Sequence, residues 1–407
     1  MIKKIRLDQL KVGMFVHDFN CSWIHHPFLT NCVHITSDTQ IEKIVDAGIR
    51  TLYIDTDKGL DVDDAPTADE VRAETENALQ VLAQTTPSVA IRVSVGEELA
   101  RAAQIKHRAH QIVRDAMRDA RLGRAIELGR VEPVVQEITE SILRNPGALI
   151  GLLRIKNKDD YTFLHSVTVC TLVVAFCRSA CMNADTMHQA GLGGLLHDVG
   201  KALVPDEILN KPGKLTEEEF AIVKRHPQDG YEILLKSGTI GDIPLDITLH
   251  HHERMDGSGY TKQLPGERIS TLAQMVALVD VYDALTSDRC YHKAISAADA
   301  LRRIFEWRRT EFNADTVQAF MRCVGIYPVG TLVRLQSGRL GVVVEAHETD
   351  LLAPKVNVFF STKSNTYIRP QQIDLSRPLG MGGGDRIMSH ESPEKWRVDP
   401  LRFMRLH

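Results

Sequence analysis

The sequence predicts a multi-domain protein that is mainly α-helical, with a small α+β domain at the N-terminus and a small β appendage at the C-terminus. Three observations lead to this prediction. The chain has 407 residues, enough for two or three domains. Its hydrophobic pattern alternates at the start, becomes helical in the middle and alternates again towards the end. Hydrophobic residues make up 43% of the chain and charged residues 25%, which is typical of globular protein with a sizeable core.

Composition argues against several classes of protein. A net charge of −4 gives no overall basic field for duplex nucleic acid or an anionic membrane surface. No run reaches the roughly 18 apolar residues that span a bilayer, and the charged N-terminus lacks the apolar core of a signal peptide. Seven cysteines are scattered without a C-x-x-C pair, so neither a disulfide framework nor a zinc ribbon is indicated. We therefore expect a cytoplasmic protein.

Residues 1–60 are predicted to form the small α+β domain. Short runs that alternate apolar and polar residues indicate strands at 11–16, 32–35 and 51–54. One helix is predicted between the last two strands, around residues 39–47.

Residues 61–149 are interpreted as an acidic linker followed by a helical connector. Residues 61–75 are acidic and poor in large apolar groups, which favours an exposed linker. From about 96 to 144 the pattern is helical, with charges spaced along one face. A solvated helix face is favoured for this segment, and a nucleic-acid-binding patch is the alternative.

Residues 150–325 are predicted to form an all-α domain. Thr216 with Glu219, and Ser296 with Asp299, have the spacing of capping boxes at helix starts. Loops that contain Pro and Gly separate the helical patterns. The predicted helices cover about 160–180, 186–200, 217–236, 244–253, 269–287, 296–311 and 314–323.

Residues 326–407 are predicted to form the β appendage and a tail. Runs at 331–335, 340–345 and 355–360 indicate strands joined by short turns. The Gly-rich run 379–385 has neither a preceding strand nor the lysine of a phosphate-binding loop, so it is interpreted as flexible tail.

The dipeptide His197-Asp198 stands at the end of an apolar helix, Gly191–Leu196. A buried histidine beside a buried aspartate costs several kcal/mol unless the two are paired or bind metal. Imidazole and carboxylate are ligands of iron, manganese and zinc. The alternative is a hydrogen-bonded His–Asp pair at a helix end, and the dipeptide alone favours that alternative.

Four further placements change this balance in favour of metal. His165 and Asp280 lie inside apolar helices, where a histidine satisfied within the core is the alternative for His165 and a buried partner is the alternative for Asp280. His226 precedes Pro227, which would interrupt or restart a helix, and alone the histidine is better explained as a surface residue. The triplet His250–His252 could be an exposed helix end, and at most two neighbours in it can serve one site. Considered jointly, these groups exceed the needs of one ion and suit two ions bridged by a carboxylate.

In this order, the residues resemble the H…HD…D signature of the HD superfamily of metal-dependent phosphohydrolases. The longer pattern resembles the HD-GYP subfamily over roughly residues 150–325. It consists of HDVGK at 197–201, His226-Pro227 with Gly230, HHERMDGSGY at 251–260, and DVYDALTSDR at 280–289. The β appendage is similar to the usual tail of that family, and residues 1–140 are similar to an uncharacterised domain often fused upstream.

The resemblance implies a role for each matching residue. Asp198 would bridge the metals and, with Lys201, act in catalysis, and His250 would be a bystander or lie behind the ligands. The implied metal ligands are His165, His197, Asp198, His226, His251, His252 and Asp280. The implied substrate-binding residues are Lys201, Gly257, Tyr260, Arg289 and Lys293.

The sequence departs from the family pattern at four positions. Thr261 replaces the proline that names the subfamily, which frees a backbone torsion and predicts a looser loop. Cys290 stands where proline is usual, and His292 stands where lysine or arginine is usual. Tyr161 occupies the position where some members place a glutamate ligand for a third ion, so two metals are predicted.

By resemblance, the implied activity is hydrolysis of cyclic di-GMP to linear pGpG, and to GMP if a second cut follows, in bacterial second-messenger signalling. Iron or manganese is expected in the site, with zinc or nickel as alternatives. The competing hypotheses are a catalytically weak cyclic di-GMP sensor, an HD phosphohydrolase of another nucleotide, and, for the N-terminal region, an interaction scaffold. Protein partners such as diguanylate cyclases, and a homodimer, are open at this stage.

Overall fold

A computed structural model of the protein divides into two compact units, Met1–Val81 and Leu82–His407. The residues that it describes are 1–21, 28, 32–83, 93–153, 161–211, 213, 215–287, 294–308, 310–325, 327–347, 350, 352–378, 384–391 and 393–404.

The first unit contains an antiparallel sheet and a helix. Its strands lie in the order β1-β4-β2-β3. The helix is α1 (Asp38–Asp46), and the core contains Ile5, Ile44 and Leu52. The strands are β1 (Ile2–Arg6), β2 (Phe15–Asp18), β3 (Val33–His34) and β4 (Thr51–Asp55). This confirms the small α+β region, although β1 was not predicted because its lysines mask the alternation.

The acidic segment after residue 60 differs from the predicted linker. Helix α2 (Ala68–Ala83) begins within it. Thr67 and Glu70 form a reciprocal cap, because the Thr67 hydroxyl accepts from the Glu70 amide (3.2 Å) and Glu70 accepts from the Thr67 amide (2.8 Å). Such a cap satisfies amides that a helix start leaves without partners, so acidic residues here begin a helix.

Helices α3 (Val95–Arg121), α4 (Leu128–Arg144) and α5 (Pro146–Leu153) open the second unit. The side chains of Arg101 and Arg114 on α3 are exposed, whereas Ala109 and Val113 on its other face belong to the main hydrophobic core. The charged face of the segment is therefore exposed, which both the solvated-face interpretation and the nucleic-acid alternative require.

The helices that follow, α6 to α14, form the all-α core of the second unit. The range 217–236 is two helices rather than one, because the chain breaks at Lys224-Arg225 and restarts at His226, next to the proline that predicted an interruption. The two predicted capping residues, Thr216 and Ser296, accept hydrogen bonds as expected. The helices are α6 (Tyr161–Ser179), α7 (Ala184–Leu196), α8 (Asp206–Leu209), α9 (Glu217–Val223), α10 (His226–Lys236), α11 (Asp242–His250), α12 (Thr271–Leu285), α13 (Ala297–Glu306) and α14 (Ala314–Val324).

The C-terminal part forms an antiparallel sheet in the order β8-β7-β6-β5-β9. Most of the Gly-rich run 379–385 lies outside the described residues, but the chain beyond it returns to the sheet as β9, so the run is followed by ordered structure. A short helix, α15 (Pro393–Trp396), follows. The strands are β5 (Leu332–Leu335), β6 (Arg339–Glu345), β7 (Lys355–Ser361), β8 (Thr366–Asp374) and β9 (Ile387–His390). Within the described part of the chain, none of the helices has the length and apolarity needed to cross a membrane.

Candidate metal centre

Seven buried side chains from five separate segments converge in the α-helical core. They fall into two groups, and within each group the potential ligand atoms lie within 4.8 Å of one another. One group contains Asp198, His226, His251 and His252, and the other contains His165, His197 and Asp280. These are the seven residues that the sequence analysis singled out as ligands.

Three of the imidazoles lie where helices end or restart, and each is oriented in the same way. Its Nδ1 lies 2.8–2.9 Å from the backbone carbonyl oxygen three residues earlier, in the last turn of α7, α9 or α11. A carbonyl oxygen can only accept, so Nδ1 carries the proton and Nε2 carries the lone pair. The pairs are His197 with Gly194, His226 with Val223, and His251 with Thr248.

His165 is held differently because it lies inside α6 rather than at its end. Its Nδ1 donates to Oδ2 of Asp283 at 2.7 Å, and both side chains are about 3% exposed. Its Nε2 lies 3.0 Å from Oδ1 of Asp280. Asp280 and Asp283 are three residues apart on α12, so they share one face of that helix.

Asp198 lies between the two groups. Its Oδ1 is 3.2 Å from Nε2 of His226 and 3.8 Å from Nε2 of His251. Its Oδ2 is 3.4 Å from Nε2 of His197 and 3.6 Å from Nε2 of His165. Each oxygen of this carboxylate therefore faces histidines of a different group.

Lys201 is brought to this carboxylate by the 3-10 helix Val199–Leu203, and its Nζ lies 2.6 Å from Oδ2 of Asp198. The 3-10 helix lies against the start of α10. A Cβ at Gly200 would collide with the His226 carbonyl and the Gly230 nitrogen, so only glycine allows this approach. The glycine after the HD pair thus fixes Asp198 and Lys201 beside His226.

Burial and mutual charge set the protonation of the cluster. Burial lowers the pKa of three imidazoles, that of His251 to about 4. Burial opposes ionisation of Asp198 and Asp280, but neighbouring histidines, and for Asp198 also Lys201, hold the pKa of both carboxyls well below the usual range. Neutral imidazole and ionised carboxylate are the forms that bind metal. The three imidazoles are those of His226, His251 and His252.

Cations fit this arrangement better than hydrogen bonds do. Nε2 of His197 and Oδ1 of Asp198 are buried and have no hydrogen-bond partner among the described residues. Nε2 of His226 and Nε2 of His251 are 3.3 Å apart, although Nδ1 holds the proton in both rings. Converging lone pairs repel one another unless a cation lies between them. The donors are imidazole and carboxylate without thiolate, a set suited to iron, manganese or zinc.

A loop after the histidine triplet folds back onto the cluster. The buried carboxylate of Glu253 accepts from the backbone amides of Lys262 (2.6 Å) and Leu264 (3.0 Å). The Thr261 hydroxyl donates to the carbonyl of Leu249 in the last turn of α11 (2.7 Å). The loop is therefore fastened at the position where the family proline is missing, contrary to the looser loop that we predicted.

The same loop places Tyr260 against the cluster. Its ring stacks on that of His252, with centroids 4.6 Å apart and planes inclined by 25°. Burial raises the pKa of the Tyr260 phenol well above 10, so the phenol is neutral. Gly257 adopts a φ of +77°, which a glycine tolerates in this turn.

The remaining predicted residues lie elsewhere or outside the described part of the chain. His250 pairs with Asp246 through Nδ1 (2.8 Å), consistent with its expected place outside the ligand set. Arg289, Cys290, His292 and Lys293 fall outside the described residues, as does the side chain of Tyr161. No role for Asp283 was predicted from the sequence, although an acid three residues after Asp280 in an apolar helix was a usable signal.

A cavity of about 460 Å³ lies between α6, α12 and the C-terminal sheet, and Asp283 is on its wall. None of the seven clustered residues is among its described lining residues. The cluster, rather than this cavity, defines the candidate site.

Two family models match separate parts of the chain, and the N-terminal match extends beyond the compact unit Met1–Val81. Residues 147–315 match the family model described as HD domain, and residues 2–131 match a model described as domain of unknown function (DUF3391). A Pseudomonas aeruginosa protein named cyclic di-GMP phosphodiesterase is 45% identical over 405 residues, which cover 99% of this chain and 95% of that protein.

Two further relatives match over shorter lengths. The cyclic di-GMP phosphodiesterase response regulator RpfG of Xanthomonas campestris is 46% identical over 31% of this chain and 34% of its own length. The 3'3'-cGAMP-specific phosphodiesterase 1 of Vibrio cholerae is 36% identical over 35% of this chain and 33% of its own length.

Proposed function

This chain belongs to the HD-GYP family of metal-dependent phosphohydrolases, and from that premise we propose that it is a phosphodiesterase that hydrolyses cyclic di-GMP. The observation that carries the proposal is the position of Asp198, whose two oxygens face histidines of two separate groups. A carboxylate in that position suits a pair of metal ions, the arrangement that stabilises both the attacking and the leaving oxygen of a phosphodiester.

The seven clustered residues are the proposed ligands of two divalent ions. Asp198 would be shared, with His226, His251 and His252 on one side and His165, His197 and Asp280 on the other. Iron or manganese is proposed first, because nitrogen and oxygen donors are mixed and thiolate is absent from both groups. When bound, such ions acidify water and polarise phosphoryl oxygens.

Lys201 and Tyr260 are the proposed contacts to the nucleotide. The Lys201 ammonium is already at the shared carboxylate, so a phosphate brought to the ligand groups would lie within its reach. There it would donate to a phosphoryl oxygen or to the departing 3′ oxygen and stabilise the charge that develops. The neutral Tyr260 ring forms a wall beside His252. Gly257, Arg289 and Lys293 remain predicted substrate contacts.

Cleavage of one phosphodiester by water yields linear pGpG, with the phosphate retained on the 5′ side and a proton on the 3′ oxygen. A second cleavage to GMP is proposed as a later step. A homodimer, partners such as diguanylate cyclases and a cytoplasmic location stay predictions from the sequence.

The experiment compares three forms of the protein purified without oxygen: wild type, Asp198→Ala and His250→Gln. Metal content is counted, and cyclic di-GMP is followed by chromatography with added Fe²⁺ or Mn²⁺. Wild type and His250→Gln are expected to turn over the substrate, because His250 pairs with Asp246 instead of facing the cluster. Asp198→Ala is expected to lose metal and turnover together.

Two results would point to the competing hypotheses. Bound metal and bound cyclic di-GMP without cleavage would favour a sensor. Faster cleavage of 3'3'-cGAMP than of cyclic di-GMP in the same assay would favour a phosphohydrolase of another nucleotide.

A further inference from the structure

The two groups of proposed ligands differ in what lies behind them. The rings of His197, His226 and His251 are oriented by neutral backbone carbonyls, whereas His165 is oriented by the Asp283 carboxylate at 2.7 Å. Asp283 is 3% exposed, so solvent screens its charge little.

The charge around the two groups is therefore unequal. The group of His165 and His197 contains Asp280 and has Asp283 directly behind it. The other group contains three imidazoles, and its one carboxylate, Asp198, is shared with the first group through Oδ2, the oxygen that the Lys201 ammonium contacts at 2.6 Å. Besides the shared Asp198, a cation in the first group meets the carboxylate of Asp280 and lies near that of Asp283, whereas one in the second group meets the three imidazoles of that group.

A carboxylate on the far nitrogen of a ligating histidine also changes the ligand itself. It fixes the tautomer and the ring orientation, and it makes Nε2 a stronger electron donor. Of the four proposed ligand rings whose Nδ1 partner is described above, His165 is the one with such support. The other three rings, those of His197, His226 and His251, are oriented by backbone carbonyls, which carry no net charge.

We propose, on the basis of the proposed metal centre, that Asp283 is a positioning residue that makes the ion position of His165, His197 and Asp280 the tighter of the two. This position fills first, and the position of His226, His251 and His252 exchanges its ion more readily. The metal content of the purified protein then depends on the second position.

The test is a titration of metal-free protein with Mn²⁺ against a competing chelator, without substrate. Wild type is expected to bind two equivalents of different affinity. Loss of a carboxylate behind a ligating histidine weakens metal binding by roughly 10- to 100-fold, so Asp283→Asn is expected to weaken the tighter equivalent by that factor. Its weaker equivalent is expected to stay within about threefold of wild type, which also shows that the variant is folded.

Asp246→Asn is the matched control, because it removes a carboxylate from His250, a histidine outside the cluster, at a similar distance of 2.8 Å. Both of its equivalents are expected to match wild type. Asp283→Glu keeps the carboxylate and is expected to retain more of the tighter binding than Asp283→Asn, so a folding defect in one variant does not decide the outcome.

Two results would contradict the reasoning, one at the role of Asp283 and the other at the metal centre itself. Asp283→Asn with both equivalents unchanged, or with only the weaker one affected, would overturn the role of Asp283 and leave the metal centre intact. Wild-type protein that binds no Mn²⁺, Fe²⁺ or Zn²⁺ would overturn the proposed centre itself.

Discussion

Acid should destabilise the metal-free protein through His251. This ring has no exposed surface, and burial lowers its pKa from 6.5 to about 4. The unfolded chain therefore takes up a proton below pH 6.5 that the folded protein refuses. Its contribution to stability is complete above pH 6.5 and is lost as the pH falls towards 4. Each pH unit below 6.5 lowers the free energy of unfolding by about 1.4 kcal/mol. Between pH 6.5 and pH 5, His251 alone therefore lowers it by about 2 kcal/mol.

The neighbouring histidines do not cancel this loss. Burial also lowers the pKa of His226 and His252, so the stability that they contribute is likewise lost as the pH falls. For His165, burial is outweighed by Asp280 and Asp283, which raise its pKa above 6.5. Its stabilisation is complete below pH 6.5 and is lost as the pH rises through the raised pKa, so it adds no change between pH 6.5 and pH 5. The four histidines together should therefore lower the free energy of unfolding of wild type by about 2 kcal/mol or more over that interval.

The assay is urea unfolding at pH 7 and pH 5 in the presence of a chelator. Wild type, His251→Gln and the control His250→Gln are compared, because His250 is next in sequence but pairs with Asp246 outside the cluster. His251→Gln should lose about 2 kcal/mol less than wild type between the two pH values, and His250→Gln should behave as wild type does. If His251→Gln loses as much stability as wild type, burial does not exclude the proton from this ring and the reasoning fails.

Two further substitutions test residues beside the ligands. Lys201→Met should keep both metal equivalents, because Lys201 is not itself a proposed ligand, while turnover falls by roughly 10²- to 10³-fold. Loss of metal in this variant would contradict the role in turnover. Thr261→Val removes the hydroxyl that donates to the Leu249 carbonyl. The KM for cyclic di-GMP should rise several-fold with little change in kcat, because the loop is held less firmly. The free energy of unfolding should fall by about 1 kcal/mol. Thr261→Ser should restore KM, and an unchanged KM in Thr261→Val would show that the hydroxyl does not hold the loop.

The ligand set could be predicted from sequence because its chemistry conflicts with its surroundings. His165 and Asp280 stand inside apolar helices, and both are buried beside each other, with Nε2 and Oδ1 3.0 Å apart. An ionisable group in such a segment needs a partner, and the spacing of the family motif indicated which groups meet. The fold class followed from changes in hydrophobic period, which are long-range features of the chain and tolerate errors at single residues.

What could not be predicted depends on contacts between distant segments. The role of Glu253 rests on two amides nine and eleven residues further on, and the role of Thr261 rests on a carbonyl in the preceding helix. Residues 217–236 were predicted as one helical range because they keep a helical pattern on both sides of Lys224-Arg225, and Pro227 alone marked the interruption. Local pattern reports the period of a segment but not the point at which its axis turns.

The ends of helices supply the rigidity that a metal centre needs. The last turn of a helix leaves carbonyl groups without partners inside the helix, and α7, α9 and α11 each use one of them to orient a clustered histidine. An imidazole held in this way keeps its position only if the helix end does. Gly200 fixes the segment after α7 against α10, and Glu253 and Thr261 fix the loop after α11. Metal affinity should therefore respond to these three positions, although none of them is a proposed ligand.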